Sequence, residues 1–258
     1  MGTCKPAKTP IERAPPPQER RDEKQSSVST NEGLKDLPYQ NLIGSLMYLA
    51  QAIRPDIAYA TNYLSQFNNC FDESHWNRAK RVPRYLSGTK TAGITYTACG
   101  QPLVGYTDAS LNEDSTGRSR CGYVFTLSQG AVSWKSTRQQ VVALSTCEAE
   151  YLALTECMKE GKWLKMFLGE LALQRHCGGE MQLFCDYQSA IKLAENPVYH
   201  QRTKHIQLKY LYSRNEIESK QFSLSFIPTD VMIADSLTKP VLRAKNAFCA
   251  QGFGLYLP

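Results

Sequence analysis

Between residues 102 and 140, apolar positions recur every second residue in short runs. "PLVGYTDAS" (102–110) and "RCGYVFTLS" (120–128) predict two strands. A turn signal, "QG", leads into "AVSWKSTRQQ" (131–140), a third. The apolar period then lengthens to that of one long helix over roughly 146–173. "MQLFCDY" (181–187) predicts a short strand, and "QSAIKLAEN" a helix ended by Pro197. "TKHIQLKYLYSRNEIESK" (203–220) has helical period, "FSLSFIP" (222–228) that of a last strand, and "DVMIADSLTKP" (230–240) that of a last short helix. Three meandering strands followed by strand–helix units imply an α/β mixed sheet with helices packed on it.

Upstream the pattern is helical. "YQNLIGSLMYLAQAI" (39–53) is apolar on most faces, and Pro55 suits the first turn of a helix through "PDIAYATNYLSQF". "SHWNRAKRVPRYLSGT" (74–89) predicts a third helix with a basic face of Arg78, Lys80, Arg81 and Arg84, which Pro83 should kink or shorten. Residues 9–33 are rich in proline, charge and serine, with little to bury. The expected organisation is a disordered linker over 1–37, a small helical unit over 38–97, the α/β domain over 102–240 and a tail over 241–258.

Two glutamates in "STCEAEYLAL" (145–154) read differently. Ser145 followed three residues later by Glu148 has the capping-box pattern, and a carboxylate in the first turn suits the helix dipole. Steps of three and four from Glu150 reach Leu154, Cys157, Gly161, Leu164 and Leu168, whereas those from Glu148 reach Leu152, Thr155 and Lys159. Glu150 therefore points at the sheet, where an unpaired charge is costly and a metal ion would relieve it. Asp108, Asp186 and Asp235 also sit on apolar elements. A lone strand-end acid is usually a solvated turn former; four on one sheet suggest a site.

Composition narrows the classes. A formal charge of +6 is compatible with a polyanionic partner. The nine cysteines are odd in number and include no C-x-x-C, which points to free thiols in a reducing compartment and away from zinc. The longest apolar run is too short to span a bilayer.

"YTDAS", "STCEAEYLAL", "CDYQSAI", "RTKHIQLKY" and "ADSLTKP" resemble, in order, the ribonuclease H domain ending the Pol polyprotein of copia-type retrotransposons. "MGTCKPAKTPIE", the 39–67 region and "RYLSGTK" resemble the segment joining reverse transcriptase to that domain, so the likeness covers nearly the whole chain. No polymerase "YxDD" is present. The resemblance implies a ribonuclease H-like, five-stranded mixed sheet preceded by a thumb-like remnant. It implies an endonuclease that hydrolyses the RNA strand of RNA–DNA hybrids with two Mg²⁺ or Mn²⁺ ions. Asp108, Glu150, Asp186 and Asp235 would hold those ions, with Asp108 bridging them. Partners would be the hybrid and, in a parent polyprotein, the reverse transcriptase palm, with no membrane involved. The setting would be intracellular, in a cytoplasmic retroelement particle or the nucleus.

"HQRTKHIQLKYLYSR" (200–214) is the most basic stretch of the α/β part, and Arg202, Lys204, His205, Lys209 and Arg214 are its candidate nucleic-acid contacts; a solvated helix face is the plain alternative. The chain departs from the family at Ser110 and Leu111, where an acid and a tryptophan are usual, and at Leu211, where a second histidine is usual. With Pro83, these departures leave open a catalytically weak or domesticated nucleic-acid-binding module.

Overall fold

The computed structural model describes residues 4–12, 37–111, 117–177, 179–195 and 207–257. Strands β1 (Val104–Ser110), β2 (Arg120–Leu127), β3 (Gly130–Arg138), β4 (Met181–Cys185) and β5 (Phe222–Phe226) form one mixed sheet in the order β3-β2-β1-β4-β5. The first three pair antiparallel as a meander. Ser128 and Gln129 turn β2 into β3, both at positive φ, as a tight two-residue hairpin requires. β4 lies parallel to both β1 and β5, so the chain must cross over the sheet between them.

Helices supply those crossovers. They are α4 (Thr146–Glu170), α5 (Gln188–Glu195) and α6 (Gln207–Glu218). α4 lies close on the sheet because residue 161 is glycine: a Cβ there would meet Phe222 Cε1 at 2.8 Å. Tyr151 stacks on Tyr210 of α6, at a centroid distance of 4.5 Å, and Thr155 shares a hydrogen bond with Ser213. The first two turns of α4 are thus enclosed by sheet and helix, and Glu148 is buried as well as Glu150. Burial does not separate the two glutamates, although the periodicity predicts that it would.

The helical unit comprises α1 (Tyr39–Ala52), a 3₁₀ turn at Pro55–Ile57, α2 (Ala58–Ser65) and α3 (Glu73–Gly88). Of the kink or shortening expected of Pro83, the shortening does not occur: α3 runs through the proline from Glu73 to Gly88. Ala79, Val82 and Tyr85 bury one face of that helix, and this packing outweighs the single hydrogen bond that proline removes. The unit has no core of its own. Tyr39, Ile43 and Leu64 share one apolar cluster with Val124 and Ala131 of the sheet, and Trp134 donates to the Ala50 carbonyl at 2.7 Å.

Two segments of the expected organisation are tied down. Residues 243–252, expected as tail, form helix α7 (Arg243–Gly252), with Cys249 and Ala250 buried, and Phe253 and Leu255 beyond it buried too. The Phe253 and Gly254 carbonyls accept from Ala131 and Thr95, so apolar burial and backbone pairing hold this end on the sheet. Within the expected linker, Ala7 and Ile11 are buried, and Arg81 of α3 donates to the Thr9 carbonyl at 3.0 Å. The rest of that linker, residues 1–3 and 13–36, lies outside the described residues.

Candidate active site

Asp108 and Asp186 come from neighbouring parallel strands. The β1–β4 register pairs Thr107 with Cys185, so the next residue of each chain is an aspartate at the same end of the sheet. Asp235 arrives from the other side on a 3₁₀ turn, Ile233–Leu237. That turn approaches because Gly122 stands opposite Asp108 in β2; a Cβ at 122 would lie 2.7 Å from Leu237 Cβ. Glu150 comes from the buried start of α4. Asp108, Glu150 and Asp235 are 1%, 3% and 3% exposed, while Asp186 is half-buried.

Ligand atoms of Asp108, Asp186 and Asp235 all lie within 4.8 Å of one another, and so do those of Glu150, Asp186 and Cys185. Asp186 is therefore common to both groups. The resemblance assigns the bridging place to Asp108.

The carboxylates are tied into a network. Thr238 Oγ1 donates to Asp108 Oδ2, and Thr229 Oγ1 donates to Asp186 Oδ2 at 2.7 Å. Lys239 Nζ sits 2.7 Å from Asp235 Oδ1 and 3.6 Å from Asp108 Oδ2. Lys245 Nζ sits 3.2 Å from Asp235 Oδ2. Glu150 Oε2 is buried and has no hydrogen-bond partner among the described residues. Burial raises the Asp108 carboxyl to about 7, with Lys239 opposing the rise and Asp235 and Asp186 adding to it. Burial likewise pushes Glu150 well above the usual range, and the charges of Asp108 and Asp186 push it further. For Lys239 burial acts downward, but Asp108 and Asp235 outweigh it and raise the ammonium.

A buried carboxylate oxygen without a donor, beside three further acids, fits a hard cation. The donor set is all carboxylate oxygen except for Cys185. Burial, followed by the charge of Glu150, raises the Cys185 thiol, which keeps it protonated and a packing group, since metals bind the thiolate.

Glu148 has other work. Its backbone N–H donates to Ser145 Oγ at 3.2 Å, and its Oε2 accepts from the Leu144 N–H at 2.9 Å. Among the basic candidates, Lys209 faces Glu156 at 3.5 Å and Arg214 pairs with Glu218 at 2.6 Å. Arg202, Lys204 and His205 lie outside the described residues. Sequence reasoning passes over Thr229, Thr238, Lys239 and Lys245. Thr238 and Lys239 stand within "ADSLTKP", where i+4 spacing from Asp235 is the available signal for the lysine.

No protein-family model matches the sequence. The retrovirus-related Pol polyprotein from transposon TNT 1-94 of Nicotiana tabacum is 41% identical over 232 residues, 90% of this chain and 17% of that protein. The Pol polyprotein from transposon RE2 of Arabidopsis thaliana is 36% identical over 250 residues, 94% of this chain and 16% of that protein. Secreted RxLR effector protein 161 of Plasmopara viticola is 46% identical over 133 residues, 51% of this chain and 94% of that protein. Among solved structures, a compost-metagenome ribonuclease H matches at 20% identity and TM-score 0.40, covering 54% of this chain and 93% of its own. That superposition is loose. The chain spans about a sixth of the length of the Pol polyproteins it matches. By its sequence the chain is similar to one part of the retrovirus-related Pol polyproteins of plant transposons, and its main body is a five-stranded mixed sheet.

Proposed function

We propose that this sheet hydrolyses the RNA strand of RNA–DNA hybrids within a transposon Pol polyprotein or a fragment of one. The observation that carries the reading is the meeting of Asp108, Glu150, Asp186 and Asp235 from four separate elements, with Glu150 Oε2 buried and unpaired. Two Mg²⁺ or Mn²⁺ ions held by these acids would supply the attacking hydroxide and offset charge on the leaving oxygen. The chain's own residues hold the acids for that task. Thr238 orients Asp108, Thr229 orients Asp186, and Lys239 limits repulsion between Asp108 and Asp235 before ions arrive. A-form groove geometry and 2′-hydroxyls would mark the RNA strand. The primary test is cleavage of a labelled hybrid with Mg²⁺: cleavage that EDTA abolishes supports the reading, and robust cleavage in EDTA removes it.

The two glutamates separate within that assay. Glu150→Gln should abolish cleavage with the fold retained. Glu148→Gln should leave cleavage nearly intact and cost about 1 kcal/mol of stability through the cap. Equal loss of activity in both variants would refute this division.

The basic stretch 200–214 would bind hybrid phosphates, and affinity should then fall with salt. Replacing Arg202 and Lys204 with alanine should weaken hybrid binding and flatten its salt dependence. An unchanged slope would mean a solvated helix face.

The second reading, a catalytically weak or domesticated nucleic-acid-binding module, is favoured by Lys239. Its ammonium gives Asp108 and Asp235 a counter-charge without any metal. Hybrid binding that survives EDTA, with no cleavage under any divalent ion, would select it.

A further inference from the structure

We infer that Lys245 is a positioning residue for the acid centre, set in place from the N-terminal helices. The inference rests on the metal-nuclease reading above. The Lys245 ammonium donates to the Thr229 carbonyl at 2.6 Å and to the Asp230 carbonyl at 2.9 Å, and it forms an ion pair with Asp235 Oδ2 at 3.2 Å. Its side chain is only 20% exposed. A lysine used this fully defines a geometry, unlike a surface lysine whose head stays in water.

What it defines is the support of two acids. It holds Asp235 directly. It also pins the first two carbonyls of the turn Thr229–Val231, and from that turn Thr229 Oγ1 reaches Asp186. Lys239 differs, because it lies between Asp108 and Asp235 and comes from the chain just after the turn that carries Asp235. Lys245 approaches from α7, outside the five-stranded sheet.

Besides its anchorage on the sheet, α7 is tied to the helical unit. The next residue, Asn246, is buried and donates to Tyr85 Oη at 3.2 Å. Tyr85 Oη donates to Asp56 Oδ2 at 2.8 Å, and Arg54 grips Asp56 through two bonds of 2.9 and 2.7 Å. A buried ion pair in the N-terminal helices thus ends one residue away from a lysine that contacts the acid centre. The helical unit is then part of the centre's support.

The test uses the full chain with Lys245→Met, Lys245→Arg and Tyr85→Phe. Three quantities are measured: Mn²⁺ affinity by calorimetry, kcat and KM for hybrid cleavage, and amide exchange of residues 229–237 without metal. A positioning role predicts that Lys245→Met weakens Mn²⁺ binding by about 10- to 100-fold, the usual cost of losing a partner behind a metal ligand. It should lower kcat while leaving KM unchanged and speed exchange at the Val231 and Met232 amides. Lys245→Arg should restore part of each effect. Tyr85→Phe, which touches none of Asp108, Glu150, Asp186 and Asp235, should move Mn²⁺ affinity in the same direction by a smaller factor. A counter-charge role predicts the opposite sign: removing a cation beside the acids would tighten Mn²⁺ binding, and that result, or unchanged exchange, overturns the inference. An unshifted Tyr85→Phe removes the link to the N-terminal helices. Were the wild type to bind no Mn²⁺, the nuclease reading would fall, and the exchange measurement would still decide whether Lys245 fixes the turn.

Discussion

Asp108→Asn should eliminate hybrid cleavage and at the same time make the metal-free protein more stable above pH 7. The loss of activity should exceed about 100-fold, the upper end for losing a mere partner of a ligand, because the metal-nuclease reading puts Asp108 among the ligands themselves. The gain in stability follows from burial. Asp108 is 1% exposed, and burial favours its neutral form, so an amide of the same shape removes a charge that the fold tolerates poorly. Thr238 can still donate to the amide oxygen, which limits the structural change. Metal linkage should separate the variants further. At a concentration 100 times the dissociation constant, a divalent ion stabilises the wild type by about 2.7 kcal/mol, which is about 5–10 °C in Tm for a chain of this size. Asp108→Asn should show little of that rise. Thermal melts with EDTA, Mg²⁺ and Mn²⁺, run beside the cleavage assay, check all three statements. A variant as active as the wild type would sink the metal-nuclease reading.

The strands are legible in the sequence because alternation is a local property, and because the Ser128–Gln129 hairpin and Gly130 mark where the meander turns. The inward direction of Glu150 is legible because its i+4 and i+7 neighbours, Leu154 and Cys157, are apolar. The burial of Glu148 is not, because the covering of the α4 start is tertiary: Tyr210 and Ser213 of α6 meet Tyr151 and Thr155 from about 60 residues later. The role of α7 is hidden for a similar reason. "RAKNAFCAQG" has few large apolar residues, and its buried members include Asn246, whose partner Tyr85 is 161 residues away. Pro83 misleads because propensity is local, while the burial of Val82 and Tyr85 against α1 and α2 is not. What escapes a single sequence is the set of long-range polar contacts, and Asp108, Asp186 and Asp235 are each held by one of them.

The metal-free protein should lose stability as pH rises from about 4 to 7, and Mg²⁺ should reverse the trend. In the unfolded chain the carboxyls of Asp108 and Glu150 titrate near 3.8 and 4.5. In the folded protein both are raised, Asp108 to about 7, through burial first; the charges of Asp235 and Asp186 add to the rise at Asp108 against Lys239, and those of Asp108 and Asp186 add to it at Glu150. The folded state therefore binds more protons than the unfolded state across that interval, and stability has a negative slope in pH. The contribution is fully present below the unfolded values and is lost as pH climbs through the folded ones. Lys239 does not offset this trend, because its pKa is also raised and it stays charged throughout the interval. Divalent ions change the sign. They bind the deprotonated acids, so each proton displaced makes apparent affinity rise about tenfold per pH unit below pH 7. Melting temperatures with EDTA should fall between pH 5 and 7.5, those with Mg²⁺ should rise, and the gap should widen with pH. Other carboxylates contribute a background, so the informative quantity is the difference between wild type and Asp108→Asn at each pH. That difference should shrink towards pH 5, where the Asp108 carboxyl is already neutral. Parallel melting curves with and without metal would show that the acids are neither raised by burial nor ligands of the ion.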